Sequence, residues 1–319
     1  MKCRICGNGQ KNASYNVRDM MFGLGDIYDY FQCSVCKCLQ ISEMTKDLDF
    51  KYPPNYYSYN MQSSKAKHGR IGRFIRRKRN QSAVFKKKGI GKVINDIVPN
   101  KELAFLSEVA INNDTSILDV GCGDGKLLYE LKEIGLDNIL GIDPFINRDI
   151  TYDNGLQIKK VDIGQTKCCW DIIMFNHSLE HILDPLEALL KAKDKLHETG
   201  VIIIRTPVAD TFAWEKYGTE WVQIDAPRHV HVFSLKSLGI LVNNVGMNIY
   251  DVIYDSTEFQ FWGSEQYMRR VPLYSGDSYL VNPKNSFITR RQMGKFKSLS
   301  RLLNKEERGD QVIAYIRKP

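Results

Sequence analysis

The chain has 319 residues, 43% of them hydrophobic, and carries 45 Lys and Arg against 37 Asp and Glu for a formal net charge of +8. That length suits one large α/β domain plus a smaller unit, and no apolar run approaches the roughly 20 residues that a bilayer-spanning helix needs. The opening MKCRICGNGQ lacks the apolar stretch of a signal peptide, so a soluble, cytoplasmic protein is expected.

Residues 1–45 carry the signals of a small ribbon. Cys3-x2-Cys6 and Cys33-x2-Cys36 are two CxxC knuckles 26 residues apart, with a short aromatic strand from Tyr28 to Gln32 between them. Four thiolates from two tight turns can converge tetrahedrally on zinc and leave no open position, which marks a structural rather than a catalytic site. A module of about 40 residues also needs such a staple to fold. Disulfides and a bound iron centre are the other uses of four such cysteines, and a reducing compartment disfavours the first. Cys38 is spare or a substitute ligand; Cys122, Cys168 and Cys169 read as packing residues.

Residues 46–100 read as a Tyr-rich and then basic linker with one or two helices, Ile71, Phe74 and Ile75 falling at helical spacing. Between Lys65 and Lys92 stand 12 Lys and Arg and no acidic residue, so the remainder holds 33 basic against 37 acidic residues. Such a belt is a solvated connector or a contact for an anionic substrate, a membrane surface or RNA.

From residue 101 to 319 strand and helix alternate. A helix is expected around Leu103 to Ile111. The strands SILDVG, NILGID, LQIKKVD, WDIIMFN and VIIIRTP follow, with helices through LLYELKEIG and PLEALLKAKDKLHETG and near Leu235 to Val245. IYDVIYD and QVIAYIRK would complete a doubly wound, seven-stranded α/β sheet. Residues 207–234 and 257–310 break the rhythm and read as insertions covering a substrate. Residues 263–310 hold ten basic and five acidic side chains, which read as a solvated basic surface or as a cap suited to a diphosphate-linked acceptor.

The richest site is Asp119-Val120-Gly121-Cys122-Gly123-Asp124-Gly125, after a strand and before a helix. The dinucleotide fingerprint would need glycine where Lys126 stands, and the P-loop would need glycine at Val120 and Ser or Thr at Leu127. Four polar residues, Asp119, Asp143, Asp162 and Asn176, end four consecutive strands, where doubly wound sheets bind ligands. Asp143 lies 18 residues after Gly125, where an acidic side chain can accept from ribose hydroxyls.

The order D-x-G-x-G-x-G resembles motif I of class I S-adenosylmethionine (SAM) dependent methyltransferases, over roughly residues 115–255 with a last strand near 311–318. By that resemblance Asp119 and the backbone of Gly121 and Gly123 would hold the methionine part of SAM. Asp162 and the Ile163 amide would meet the adenine, and the Asn176 carbonyl the methionine amine. CRICGN, CxxCxCLQI, YPPNYYSY, SLEHILDP and the segment Trp221 to Ser234 together resemble bacterial methyltransferases of polysaccharide and O-antigen clusters, and deoxysugar C-methyltransferases with an N-terminal zinc unit. The C-methylating branch's own His/Glu signature has no clear match, which favours methylation of oxygen.

Methyl transfer from a sulfonium needs a base only when the acceptor bears a proton. Of six histidines, His177 and His181 follow the fourth strand, while His229 and His231 follow the fifth. His181 and His229 are the expected bases, with Glu180 orienting one ring. Tyr56, Tyr57 and Tyr59 would stack on a sugar or pack on the domain. The competing functions are an rRNA or tRNA methyltransferase, against which no aromatic-basic nucleic-acid module is found, and an inactive SAM-binding adaptor. The oligomeric state is not readable.

Overall fold

The computed structural model describes residues 1–43, 69–167 and 169–319. The tyrosines at 56, 57 and 59, the first residues of the basic belt and Cys168 lie outside that set. No helix of the described residues is long and apolar enough to cross a membrane.

The cysteine module contributes β1 (Ala13–Arg18), β2 (Ile27–Gln32) and β3 (Leu39–Ile41). Three helical segments lead into the main domain: α1 (Arg70–Phe85), α2 (Ile90–Ile97) and a single turn, α3 (Lys101–Ala104), which runs into a 3-10 turn over Phe105–Glu108. The longer helix expected through Ile111 is therefore cut short. In α1 and α2 the apolar side chains Ile71, Phe74, Ile90, Val93 and Ile97 are exposed, so the helical spacing that predicts α1 does not mark a core-facing stripe.

The central domain then alternates β4 (Ile117–Val120), α4 (Lys126–Glu133), β5 (Ile139–Ile142), a two-residue β6 (Ile150–Thr151), β7 (Gln157–Lys159), β8 (Trp170–Asn176), α5 (Pro185–Lys195) and β9 (Leu196–Pro207). Helix α5 opens on an Asp184 side chain that accepts from the Glu187 amide, with Pro185 in the first turn, an N-terminus built as the sequence suggests. It ends at Lys195 rather than at the glycine: LHETG belongs to β9, whose Leu196 pairs with Trp170. Buried β-branched and leucine side chains fill β4, β8 and β9 on both faces, the composition of strands covered by helices on each side.

Segment 207–234 carries α6 (Phe212–Tyr217) and β10 (His231–Val232). After α7 (Leu235–Asn244) and β11 (Asn248–Tyr254) come α8 (Phe259–Met268), α9 (Arg290–Lys305) and β12 (Gln311–Arg317). The large sheet runs β11-β12-β9-β8-β4-β5-β7-β6. The seven expected strands are all in it, and β6 adds an eighth at the edge. Strands β4, β5, β7, β8 and β9 are parallel; β12 and β6 run opposite to them, and β11, antiparallel to β12, points the same way as the parallel set. The chain leaves β4 toward β5 and β7 and returns to its other side with β8, so the crevice of the fold opens at the tips of β4 and β8.

The small sheet, ordered β1-β2-β3-β10, joins the cysteine module to segment 207–234. Tyr30 Oη donates to the His229 carbonyl at 2.8 Å, Arg4 Nη2 to the Ile41 carbonyl at 2.6 Å, and Ser234 Oγ to the Cys36 carbonyl at 2.5 Å. Val17, Tyr30 and Leu39 share one hydrophobic cluster with Trp221, Phe261 and Met293. The module and both insertions therefore bury one another, and the segment that carries His229 is clamped between them.

Candidate active site at the strand tips

Asp119 is the next-to-last residue of β4 and is 3% exposed. Its Oδ1 is buried without a hydrogen-bond partner among the described residues. Burial, and next the neighbouring Asp143 carboxylate, push the Asp119 carboxyl up to about 8. The chain then bends through Gly121 at φ +74 and Gly123 at φ +57, backbone that side-chain-bearing residues rarely adopt. A Cβ at Gly121 would stand 2.5 Å from Ser178 Cβ. Asp143, after β5, accepts from the Gly123 amide at 2.9 Å and from the Phe145 amide at 2.8 Å; burial raises its pKa, and those backbone bonds oppose the rise.

Asp119, the glycine bend and Asp143 thus form one unit. Asp162 is held differently. It is exposed, caps the turn at Ile163 by accepting from the Gly164 amide at 2.8 Å, and pairs with Lys191 of α5 at 3.1 Å. Ile163 is buried beneath it. Asn176, at the tip of β8, has a buried Oδ1 with no partner among the described residues.

The turn after β8 packs directly on the glycine bend. Ser178 Oγ donates to the Val120 carbonyl at 2.5 Å, a contact signalled in the sequence only by a small polar residue between strand and apolar run. The turn requires His177 at φ +54, a costly conformation for a residue with a Cβ and one that recurs at functional sites. Its ring is 37% exposed, with Nδ1 3.5 Å from Oε1 of Glu180, which is itself fully buried. Glu180 Oε2 accepts from Thr206 Oγ1 at 3.0 Å, and Oε1 has no hydrogen-bond partner among the described residues. Burial pushes this carboxyl up, but the contact with His177 and the nearby His229 and His181 outweigh it and bring it to about 2.

His181 and His229 stand face to edge, ring centroids 4.7 Å apart. Burial, then His229, lower the His181 pKa to about 4. His181 Nδ1 lies 2.9 Å from the Arg228 carbonyl and His229 Nδ1 2.8 Å from the Gln223 carbonyl. A carbonyl only accepts, so each Nδ1 carries the hydrogen and each Nε2 is the basic nitrogen of its ring.

In the N-terminal module Cys3, Cys6, Cys33 and Cys36 place their sulfurs within 4.8 Å of one another. The pairs Cys3–Cys36 and Cys6–Cys33 are 3.5 Å apart, near the roughly 3.8 Å edge of a tetrahedron with about 2.3 Å metal–sulfur bonds. The Gln40 side-chain amide and the Cys36 backbone amide donate to the Cys3 and Cys33 sulfurs at 2.9 and 3.5 Å, bonds that favour thiolates. Cys38 is buried and outside this group.

A protein family described as a methyltransferase domain matches residues 92–252. A tRNA U34 carboxymethyltransferase of Trichlorobacter lovleyi is 27% identical over 105 residues, 30% of this chain and 32% of that protein. A ubiquinone biosynthesis O-methyltransferase of Azorhizobium caulinodans is 27% identical over 130 residues, 36% of this chain and 50% of that protein. The chain spans a third to a half of these relatives' lengths. Superposed on a SAM dependent methyltransferase from Archaeoglobus fulgidus it gives a TM-score of 0.41 at 19% identity, over 72% of this chain and 98% of that one. With half of its length matched, across the strands that carry the glycine bend, the chain belongs to the methyltransferase-domain family.

Proposed function

We propose that the enzyme transfers the methyl group of SAM to a hydroxyl of a small anionic sugar, nucleotide- or lipid-linked. The observation that carries this reading is the packing of the turn Asn176–His181 on the glycine bend through Ser178 and Val120, which sets a buried His/Glu group beside the cofactor crevice. SAM bears a net positive charge, and Asp119 Oδ1 and Asn176 Oδ1, both without a hydrogen-bond partner among the described residues, fit its ammonium. In this reading Asp119 and the bend hold the methionine part, Asp143 the ribose, and Asp162 with the Ile163 amide the adenine. The bound cofactor supplies an electrophilic methyl group, and the protein supplies alignment, which can contribute much of the rate.

His177 is the base this reading favours over His181 and His229. It stands at the exposed edge, backed by the Glu180 carboxylate, while His181, held to about 4, is a weak proton acceptor at neutral pH. The tRNA relative supports a second reading with a nucleic-acid acceptor. The purified enzyme, given SAM, should release S-adenosylhomocysteine with nucleotide-diphosphate sugars and add one methyl to the sugar. Turnover with bulk tRNA and none across the sugar panel would overturn the sugar reading in favour of the second.

We infer further that the four cysteines hold zinc as a structural ion. The purified protein should retain about one ion per chain in a thiolate site, and Co2+ exchanged into it should show intense sulfur-to-metal charge-transfer absorption. A fully folded, metal-free sample would sink the assignment.

A further inference from the structure

Glu180, His181 and His229 each bring one ligand atom to within 4.8 Å of the other two. They come from both sides of the crevice: Glu180 and His181 from the turn after β8, His229 from the segment clamped by the cysteine module. Two imidazoles and a carboxylate converging in this way are the donor set of borderline divalent cations. Both Nδ1 hydrogens are engaged by backbone carbonyls, the outer-shell arrangement that fixes the tautomer and aims Nε2 at a metal. Glu180 is fully buried, its Oε2 held by Thr206, while its Oε1 meets His177 Nδ1 at 3.5 Å, a contact too loose to satisfy it as a hydrogen bond. A buried carboxylate oxygen left in that state costs free energy unless something positive approaches it.

Ordinary packing does not account for this set. Two histidines packed for bulk alone would not each need a carbonyl on Nδ1, and the contacts of His177 Nδ1 to Glu180 Oε1 at 3.5 Å and of His229 Nε2 to Asp225 Oδ2 at 4.0 Å are longer than good hydrogen bonds. The nearby cationic side chain of Arg228 turns away toward Asp19 and Asp225. We propose that Glu180, His181 and His229 bind a divalent cation of the Mn2+, Fe2+ or Zn2+ class, distinct from the ion of the cysteine module, whose open positions take two adjacent oxygens of the acceptor. The second half of that proposal rests on the sugar-hydroxyl reading above; the first half does not.

Mn2+ is the probe, because it prefers nitrogen and oxygen donors and competes poorly for thiolates. Titrated into the zinc-loaded full chain and followed by the electron paramagnetic resonance of free Mn2+, it should show saturable binding at a single site. Glu180→Gln, which keeps the shape and a contact to Thr206, should weaken that binding at least about 100-fold, beyond the loss from removing an outer-shell partner. His229→Gln should do the same, and serves if Glu180→Gln fails to fold. Absence of saturable binding by the folded parent, or equal affinity in the folded variants, overturns the site. Saturable Mn2+ binding that leaves the sugar's KM unchanged overturns only the acceptor contact, and Mn2+ binding with no sugar turnover points to failure of the sugar reading instead.

Discussion

Arg228→Met is expected to lower the unfolding free energy by about 3–5 kcal/mol, as removal of one partner from a buried ion pair does. Arg228 is 1% exposed. Its Nη2 donates to Asp19 at 2.9 Å and to Asp225 at 2.7 Å, and its Nε to Asp225 at 3.0 Å. The guanidinium also lies 5.3 Å over the Phe22 ring. Deleting it leaves two carboxylates, both nearly sealed from water, with no counter-charge. Asp19 lies in the cysteine module and Asp225 in the insertion after β9, so the lost charge acts across the seam that carries His229.

The pH dependence follows from Asp225. Burial raises its pKa, but Arg228 and the neighbouring histidines bring it below the ordinary carboxylate value. A depressed folded-state pKa gives stability that is present above the unfolded value and lost as pH falls through the folded one. Without Arg228 burial prevails at Asp225 and raises its pKa, so the cost of Arg228→Met should be full at pH 7 and shrink in acid as the variant's carboxylate protonates. Urea unfolding at pH 7 and pH 4 measures both, and the triple change with Asp19→Asn and Asp225→Asn should recover much of the loss. An effect under about 1 kcal/mol at pH 7, the range of exposed pairs, would mean that the trio is solvated rather than sealed.

The same seam shows where sequence reasoning stopped. The parallel strands were legible because runs such as ILDV and DIIMF are apolar without alternation, as both faces are covered. The glycine bend was legible because glycine adopts its positive φ most readily, and the two CxxC knuckles because their spacing suits a metal. Strand β1 was not: ASYNVR buries only Val17 among its six residues, so its pattern is that of a polar loop. Nor was the pairing of β3 with a two-residue β10 nearly two hundred positions later, since so short a strand has no period to detect. The pattern of LHETG suits a helix end, yet tertiary pairing with β8 draws it into a strand. At the site, Asp162 was read from its place after a strand; the local cap and the Lys191 pair that fix its side chain are contacts that a one-dimensional pattern does not show. The roles of His181 and His229 depend on which ring nitrogen meets a backbone carbonyl, information that only three dimensions contain.

Asp119→Asn should make the cofactor-free enzyme more stable at pH 8 than the parent while leaving the two close together near pH 4. The Asp119 carboxyl is pushed from 3.8 up to about 8 by burial and then by Asp143. An acid with a raised folded-state pKa holds its proton in the fold and loses it on unfolding, so stability declines as pH rises from the unfolded to the folded value and is flat above it. The window is therefore about pH 4 to 8, and each pH step of one across it corresponds to about 1.4 kcal/mol, which makes the total several kcal/mol. Other groups pull the whole-protein curve both ways: Asp310 is raised to about 7, whereas His181 is lowered to about 4. The informative quantity is thus the difference in Tm between parent and variant, which isolates Asp119. Cationic SAM should favour the ionised carboxylate, so its binding at pH 7 releases a proton in the parent, visible by calorimetry in buffers of different ionisation heat, and releases less in Asp119→Asn. The variant should also bind SAM more weakly by about 1.5–3 kcal/mol, the usual cost of losing a hydrogen bond to a charged group. A parent–variant difference that does not change between pH 4 and 8 would show that Asp119 is ionised throughout and that its burial carries no electrostatic demand for a cation.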